Sequence, residues 1–107
     1  MNKADEAKVN AVLADLWQKN LPTLRERLTL FDQAAKTAKT GSLPEESRLE
    51  CLGIAHKLSG SLGMFGYQEG TEVARKIEKI LMAPTSETLL MLTDMVKDLR
   101  KSLAAGL

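Results

Sequence analysis

A single histidine, His56, is the one obvious reactive side chain of this sequence, which also holds only one cysteine, Cys51. There is no glycine-rich loop of the kind that cradles a nucleotide phosphate. A neutral imidazole, whose unperturbed pKa is about 6.5, is largely available as a nucleophile near neutral pH and can form a covalent adduct. Phosphoryl transfer is a reaction that such a side chain can support when a partner supplies the metal and the electrostatics.

Three glycines, Gly53, Gly60 and Gly63, lie one or two helical turns from His56 and on the same side of a predicted helix. Each glycine inside a helix costs about 1 kcal/mol relative to alanine, so this grouping needs an offsetting benefit. We predict that His56 points away from the core and that Gly60 and Gly63 clear the surface beside its ring. The opposite face carries the predicted core residues Cys51, Ile54, Ala55, Leu58, Leu62 and Phe65.

Two further apolar residues, Leu49 and Leu52, share the outward face of His56, where we expect them only if something covers them. A helical bundle that contains methionines also raises the alternative of a haem held between histidine and methionine. The outward position of His56 and the absence of a Cys-x-x-Cys-His sequence argue against that site.

The elements that must position this face are helices, because leucine and alanine far outnumber valine and isoleucine. Leu21-Pro22 is predicted to break or kink the chain between the first two helices. Apolar spacing predicts helices over residues 4–19, 21–38, 45–65 and 67–82, and a fifth from Thr85 or Ser86 to near Gly106. The predicted fold is an all-α, antiparallel up-and-down four-helix bundle, with the first helix as an additional N-terminal cap.

Length and composition limit the function classes. A chain of 107 residues fits one domain over residues 1–107, and a net charge of +1 argues against nucleic-acid binding. No apolar run is long enough for a membrane span and no signal peptide is evident, so we expect no membrane association and a cytoplasmic protein. A lone cysteine forms no internal disulfide, and the absence of a second strong apolar seam favours a monomer.

Residues 55–66, read as Ala-His-Lys-Leu-Ser-Gly-Ser-Leu-Gly-Met-Phe-Gly, closely resemble the signature of histidine-containing phosphotransfer (HPt) domains. The resemblance extends through residues 69–78 and to the length and helix order of nearly the whole chain. It implies that His56 is a phosphoacceptor, that Leu58 is buried beside it, and that Gly60 leaves room for a partner. Many members carry lysine where this chain has Ser59, which leaves the source of positive charge near the phosphate open. Lys57 is one candidate.

The resemblance implies a phosphorelay carrier that exchanges phosphate with the receiver domain of a response regulator or of a hybrid sensor histidine kinase. Such a domain has no kinase activity, cofactor or metal of its own, because the receiver brings the aspartyl phosphate and Mg²⁺. A charged residue of the following helix is expected to contact the site. The alternative is a helical adaptor that binds a receiver without carrying phosphate. The predicted partner surface comprises Leu49, Leu52, Gly53, Lys57, Ser59, Gly60, Gly63 and Met64.

Overall fold

The longest element of the computed structural model, which describes residues 2–107, is a single helix, α1, spanning Lys3–Ala38. The predicted break at Leu21-Pro22 is therefore wrong, and the predicted capping helix is the first half of α1. Pro22 stands inside the helix, although a proline there costs about 3 kcal/mol relative to alanine.

Burial on both sides of Pro22 explains why α1 continues through it. One stripe of buried side chains runs along the helix in steps of three and four residues: Trp17, Leu21, Leu24, Leu28, Phe31, Ala35 and Ala38. Pro22 itself lies on the exposed face. Its missing N–H deprives the carbonyl of Gln18 of a helical partner, but Gln18 is also exposed and water can take that place.

The remaining helices are shorter than the predicted ones, and two of them end in 3₁₀ turns. Helix α2 spans Glu45–Ser61 and passes into a 3₁₀ turn over Leu62–Phe65, while α3 spans Gln68–Met82. The predicted fifth helix is divided into α4, Ser86–Leu89, and α5, Leu92–Leu103, which ends in a 3₁₀ turn over Ala104–Gly106.

Two local features set the boundaries of the helices around the site. Gly66 adopts the left-handed conformation, with φ of 90°, and so reverses the chain between α2 and α3. Thr85 caps α4, because its hydroxyl oxygen accepts the backbone N–H of Thr88 at 3.0 Å.

The second half of α1 forms a ring of packed helices with α2, α3 and α5 in which successive helices run antiparallel, so the predicted all-α bundle is confirmed. Buried leucine, isoleucine, valine and alanine side chains from all four helices form one continuous core. The first half of α1 projects beyond the bundle and lengthens the molecule to 52 × 22 × 21 Å. Over residues 2–107, no helix combines the length and apolar character that a membrane span requires.

An aromatic cluster closes the end of the bundle from which α1 projects. The Trp17 ring stacks on Tyr67 at a centroid distance of 4.7 Å and meets Phe65 edge-on at 5.3 Å. Its Nε1–H donates to the carbonyl oxygen of Gly106 at 2.8 Å. This cluster ties α1, the turn after α2 and the C-terminal turn together, so Trp17 fulfils the end-closing role predicted for a separate helix.

Candidate functional site

The site is presented by α2, whose opposite face is anchored in the core. Cys51, Ile54, Ala55 and Leu58 are buried, and the His56 side chain is 76% exposed. These positions agree with those predicted from helical spacing, and they fix the backbone beneath the imidazole while leaving the ring in solvent.

Cys51 belongs to the core rather than to the site. Its side chain is almost completely buried, and this burial raises the pKa of the thiol to about 11, with a smaller contribution from the neighbouring charge of Glu50. Because the thiolate is the reactive form, the Cys51 thiol is inert at neutral pH.

The main polar contact of His56 comes from α3. The Nδ1 atom of His56 lies 2.6 Å from Oε2 of Glu78, whose side chain is only 20% exposed. A carboxylate can only accept a hydrogen bond, so Nδ1 carries the proton of this contact. In the neutral ring the lone pair is then on Nε2, on the opposite edge of the imidazole.

Sequence reasoning expected a charge from this helix but did not select Glu78. The signal that identifies it is the antiparallel register about the left-handed Gly66. His56 precedes and Glu78 follows that residue by about three helical turns, so both lie at the same level of the α2–α3 pair.

Two glycines keep the surface of α2 open beside His56. A Cβ atom added at Gly53 or at Gly60 would have no heavy atom within 4 Å outside its own helix. Ser59, one turn beyond His56, folds its hydroxyl back and donates to the His56 carbonyl oxygen at 2.7 Å. The ring is therefore accessible along α2 in both directions.

Gly63 has a different place from the predicted one. It lies in the 3₁₀ turn after α2, and a Cβ atom there would be 3.3 Å from Thr71 Oγ1 and 3.4 Å from Gln68 Nε2. The space beside Gly63 is thus occupied by α3 and is not open to a reactant. The reason is that the chain tightens after Ser61, which turns this glycine toward the start of α3.

The other predicted partner residues lie on both sides of His56. Leu49 is 53% exposed and Met64 is 57% exposed, whereas Leu52 is half-buried against the core. Exposed Lys57 borders a groove of about 390 Å³ between α1 and α2, together with Leu16, Asn20, Arg27, Ser61 and Met64. The exposed face of α2 that carries His56 therefore also carries apolar and small residues, and the groove bordered by Lys57 and Arg27 lies on its α1 side.

Metal binding is not indicated in the part of the chain that the structure describes. No three His, Cys, Asp or Glu side chains of residues 2–107 converge in a way that could hold a metal ion. The chemistry available at the site is thus that of one accessible imidazole nitrogen with a carboxylate at the other nitrogen.

Comparison with known proteins agrees with this geometry. The family model described as Hpt domain matches residues 15–102. Protein RcaC of Microchaete diplosiphon is 28% identical over 68 residues, which make up 64% of this chain and 10% of RcaC. The matching segment spans about a tenth of that relative's length. No solved structure matches the chain.

Proposed function

Because the chain belongs to the Hpt domain family, we propose that His56 carries a phosphoryl group to and from receiver-domain aspartates, with Nε2 as the accepting atom. Membership in this family indicates a phosphocarrier role in two-component signalling and contact with receiver domains. The observation that carries the assignment to His56 is its contact with Glu78. That contact engages Nδ1, while the side chain remains 76% exposed on the open face of α2.

The transfer follows from the protonation of the ring. With the proton on Nδ1, the Nε2 lone pair attacks the phosphorus atom of an aspartyl phosphate. The P–N bond forms as the P–O bond to the aspartate breaks, and the carboxylate leaves with the electron pair of that bond. The proton stays on Nδ1 and remains hydrogen-bonded to the Glu78 carboxylate, whose negative charge balances the positive charge that develops on the imidazole. The reverse sequence returns the phosphoryl group to an aspartate.

This chain contributes the nucleophile and its orientation, and the receiver contributes the phosphoryl group and a bound Mg²⁺. The two open glycines beside His56 allow close approach of the receiver's acidic pocket. Leu49, Leu52 and Met64 supply the apolar part of the docking surface, and Lys57 supplies a charge at its edge. Docking geometry then determines the rate, since transfer requires in-line alignment of the reacting atoms.

We also propose that residues 2–107 act as one module, because a single core joins the helices. The module is expected to work as a monomer in the cytoplasm, without a cofactor or kinase activity of its own. Its near-neutral net charge of +1 fits recognition by a local face rather than by a general electrostatic field.

The test is to mix the purified domain with a receiver labelled with phosphate on its aspartate. The domain is expected to acquire label that is labile in acid and stable in alkali, as phosphohistidine is, and His56→Gln is expected to abolish this labelling. Because His56 is exposed, the variant should keep the helical circular dichroism and unfolding midpoint of the unmodified domain. Receivers that bind the domain but never transfer label to it would support the adaptor alternative and contradict the carrier.

A further inference from the structure

One row of α3 side chains faces the outward surface of α2. The row consists of Gln68, Thr71, Arg75, Glu78 and Met82, which follow one another in steps of three and four residues and so share one side of the helix. Observed contacts fix its register. Glu78 binds His56, and Gln68 Nε2 donates to the Gly63 carbonyl oxygen at 3.4 Å.

Arg75 lies between these two contacts. Because α2 and α3 are antiparallel, the residue between Thr71 and Glu78 on this row faces the part of α2 between Gly63 and His56. In that stretch Gly60 leaves the surface open, and the Ser59 hydroxyl is turned back onto the His56 carbonyl oxygen. Arg75 therefore stands beside the vacant surface one turn beyond the imidazole.

The guanidinium of Arg75 has no bonding partner among the residues that the structure describes. Over residues 2–107, no ion pair and no side-chain hydrogen bond involves it, and the residue is exposed. The carboxylate one turn away, that of Glu78, is already engaged by His56. Arg75 is thus a long cationic side chain beside the site with no partner in the isolated domain.

The other neighbours of His56 are less suited to a phosphoryl group. On the Gly53 side of the ring, the same α3 row presents Met82, which is 64% exposed and apolar, and α2 presents Leu49. Lys57 borders the groove on the α1 side of α2, away from the α3 row. On the α3 side of the ring, Arg75 is the cation of the row that faces α2, and Lys79 lies about 40° farther around the helix toward solvent.

We propose that Arg75 binds the phosphoryl group on His56 Nε2 and supplies the cationic contact that Ser59 does not provide. This assignment depends on the proposed function of His56. A guanidinium suits the role because its planar array of N–H donors matches two phosphoryl oxygens at once. The open surface at Gly60 gives the phosphoryl group room on that side of the ring.

The test uses the domain alone, phosphorylated by phosphoramidate, which transfers its phosphoryl group to an imidazole nitrogen and releases ammonia. The pH titration of the phosphohistidine signal is followed by ³¹P NMR. A nearby cation favours the dianionic phosphoryl group, so Arg75→Gln is expected to raise the midpoint of its second ionisation by roughly half a unit or more. Arg75→Lys should restore most of the lost effect.

Lys76→Gln is the matched control, because it removes the same charge from α3 next to Arg75 but about 100° farther around the helix, away from α2. This variant should titrate like the unmodified domain. An unchanged midpoint in Arg75→Gln, or a larger shift in Lys76→Gln, would overturn the assignment of Arg75 while leaving His56 as the carrier. If no phosphohistidine forms in the unmodified domain, the proposed function itself fails.

Discussion

The two ring nitrogens of His56 have different surroundings, and this difference defines the chemistry of the site. Nδ1 contacts the carboxylate of Glu78 at 2.6 Å, and Nε2 lies on the opposite edge of a largely exposed ring. In the proposed transfer Glu78 is a positioning residue, because its hydrogen bond sets the tautomer and the orientation of the imidazole without contact to the phosphoryl group.

Removing the Glu78 carboxylate should therefore slow transfer without unfolding the domain. We expect Glu78→Ala to lower the rate of phosphoryl transfer from a labelled receiver by about 10- to 100-fold, the loss seen when a group that orients a metal-binding histidine is removed. Glu72→Ala, which removes an exposed carboxylate from the same helix, is the control and should leave the rate unchanged. Equal rates in the two variants would show that Glu78 does not position the ring.

The difference between His56 and Glu78 also shows what the sequence can predict. The outward direction of His56 and the burial of Cys51 follow from the period of one helix, which depends only on residues close in the chain. Glu78 becomes identifiable only when α2 and α3 are set in register. Sequence spacing therefore predicted the exposed position of His56, whereas the residue that contacts its ring depends on tertiary packing.

At the scale of elements, α2 combines a buried anchoring face with a face left bare by glycines. Gly53 lies in the middle of the helix, and an added Cβ there would meet nothing within 4 Å. Gly70 of α3 differs, because a Cβ would lie 3.1 Å from Ser102 Oγ and 3.2 Å from Leu103 Cδ2 and Leu62 Cδ1. The first glycine keeps a surface open, and the second permits close packing of helices.

Alanine substitutions should separate these two roles. Gly53→Ala is expected to raise the free energy of unfolding by about 0.5–1 kcal/mol, because it removes the entropic cost of glycine without a clash. Gly70→Ala should give no such gain, since the three neighbouring side chains must shift to admit the methyl group. Urea unfolding measures both values, and a destabilised Gly53→Ala would contradict the open surface described for α2.

Helix α1 shows why a rule based on a single residue can fail to predict where a helix ends. Pro22 alone predicts a break, but the stripe of buried residues from Trp17 to Phe31 continues past it in register. Apolar burial contributes roughly 1.5–3 kcal/mol for each large side chain, so several such residues outweigh one proline. The total free energy gained by burying this stripe can be judged only when the helices that cover it are known.

At the scale of the whole molecule, the first part of α1 lengthens the molecule but adds no side chains to the hydrophobic core. Residues 2–12 are exposed, Leu13 is half-buried, and Trp17 is the first buried side chain along the described chain. The radius of gyration is 15.2 Å, which exceeds the value of about 13 Å expected for a compact domain of this size. We therefore expect the stability of the domain to come from the bundle and not from the projecting part of α1.

Deleting residues 2–12 should therefore leave the free energy of unfolding within about 0.5 kcal/mol of that of the full chain. Small-angle scattering should show the radius of gyration falling toward about 13 Å. By contrast, Trp17→Ala is expected to cost about 3 kcal/mol, because it removes the centre of the aromatic cluster and the hydrogen bond to Gly106. A large loss of stability on the deletion would mean that the projecting segment packs on the bundle.

The position of the phosphoryl group on the imidazole tests the central claim most directly. The domain, labelled with ¹⁵N in its single histidine, is phosphorylated by a receiver and examined by ¹⁵N and ³¹P NMR. The contact between Nδ1 and Glu78 predicts phosphorus–nitrogen coupling at Nε2 of His56, with Nδ1 still bearing its proton. Phosphate on Nδ1, or on any residue other than His56, would contradict the account.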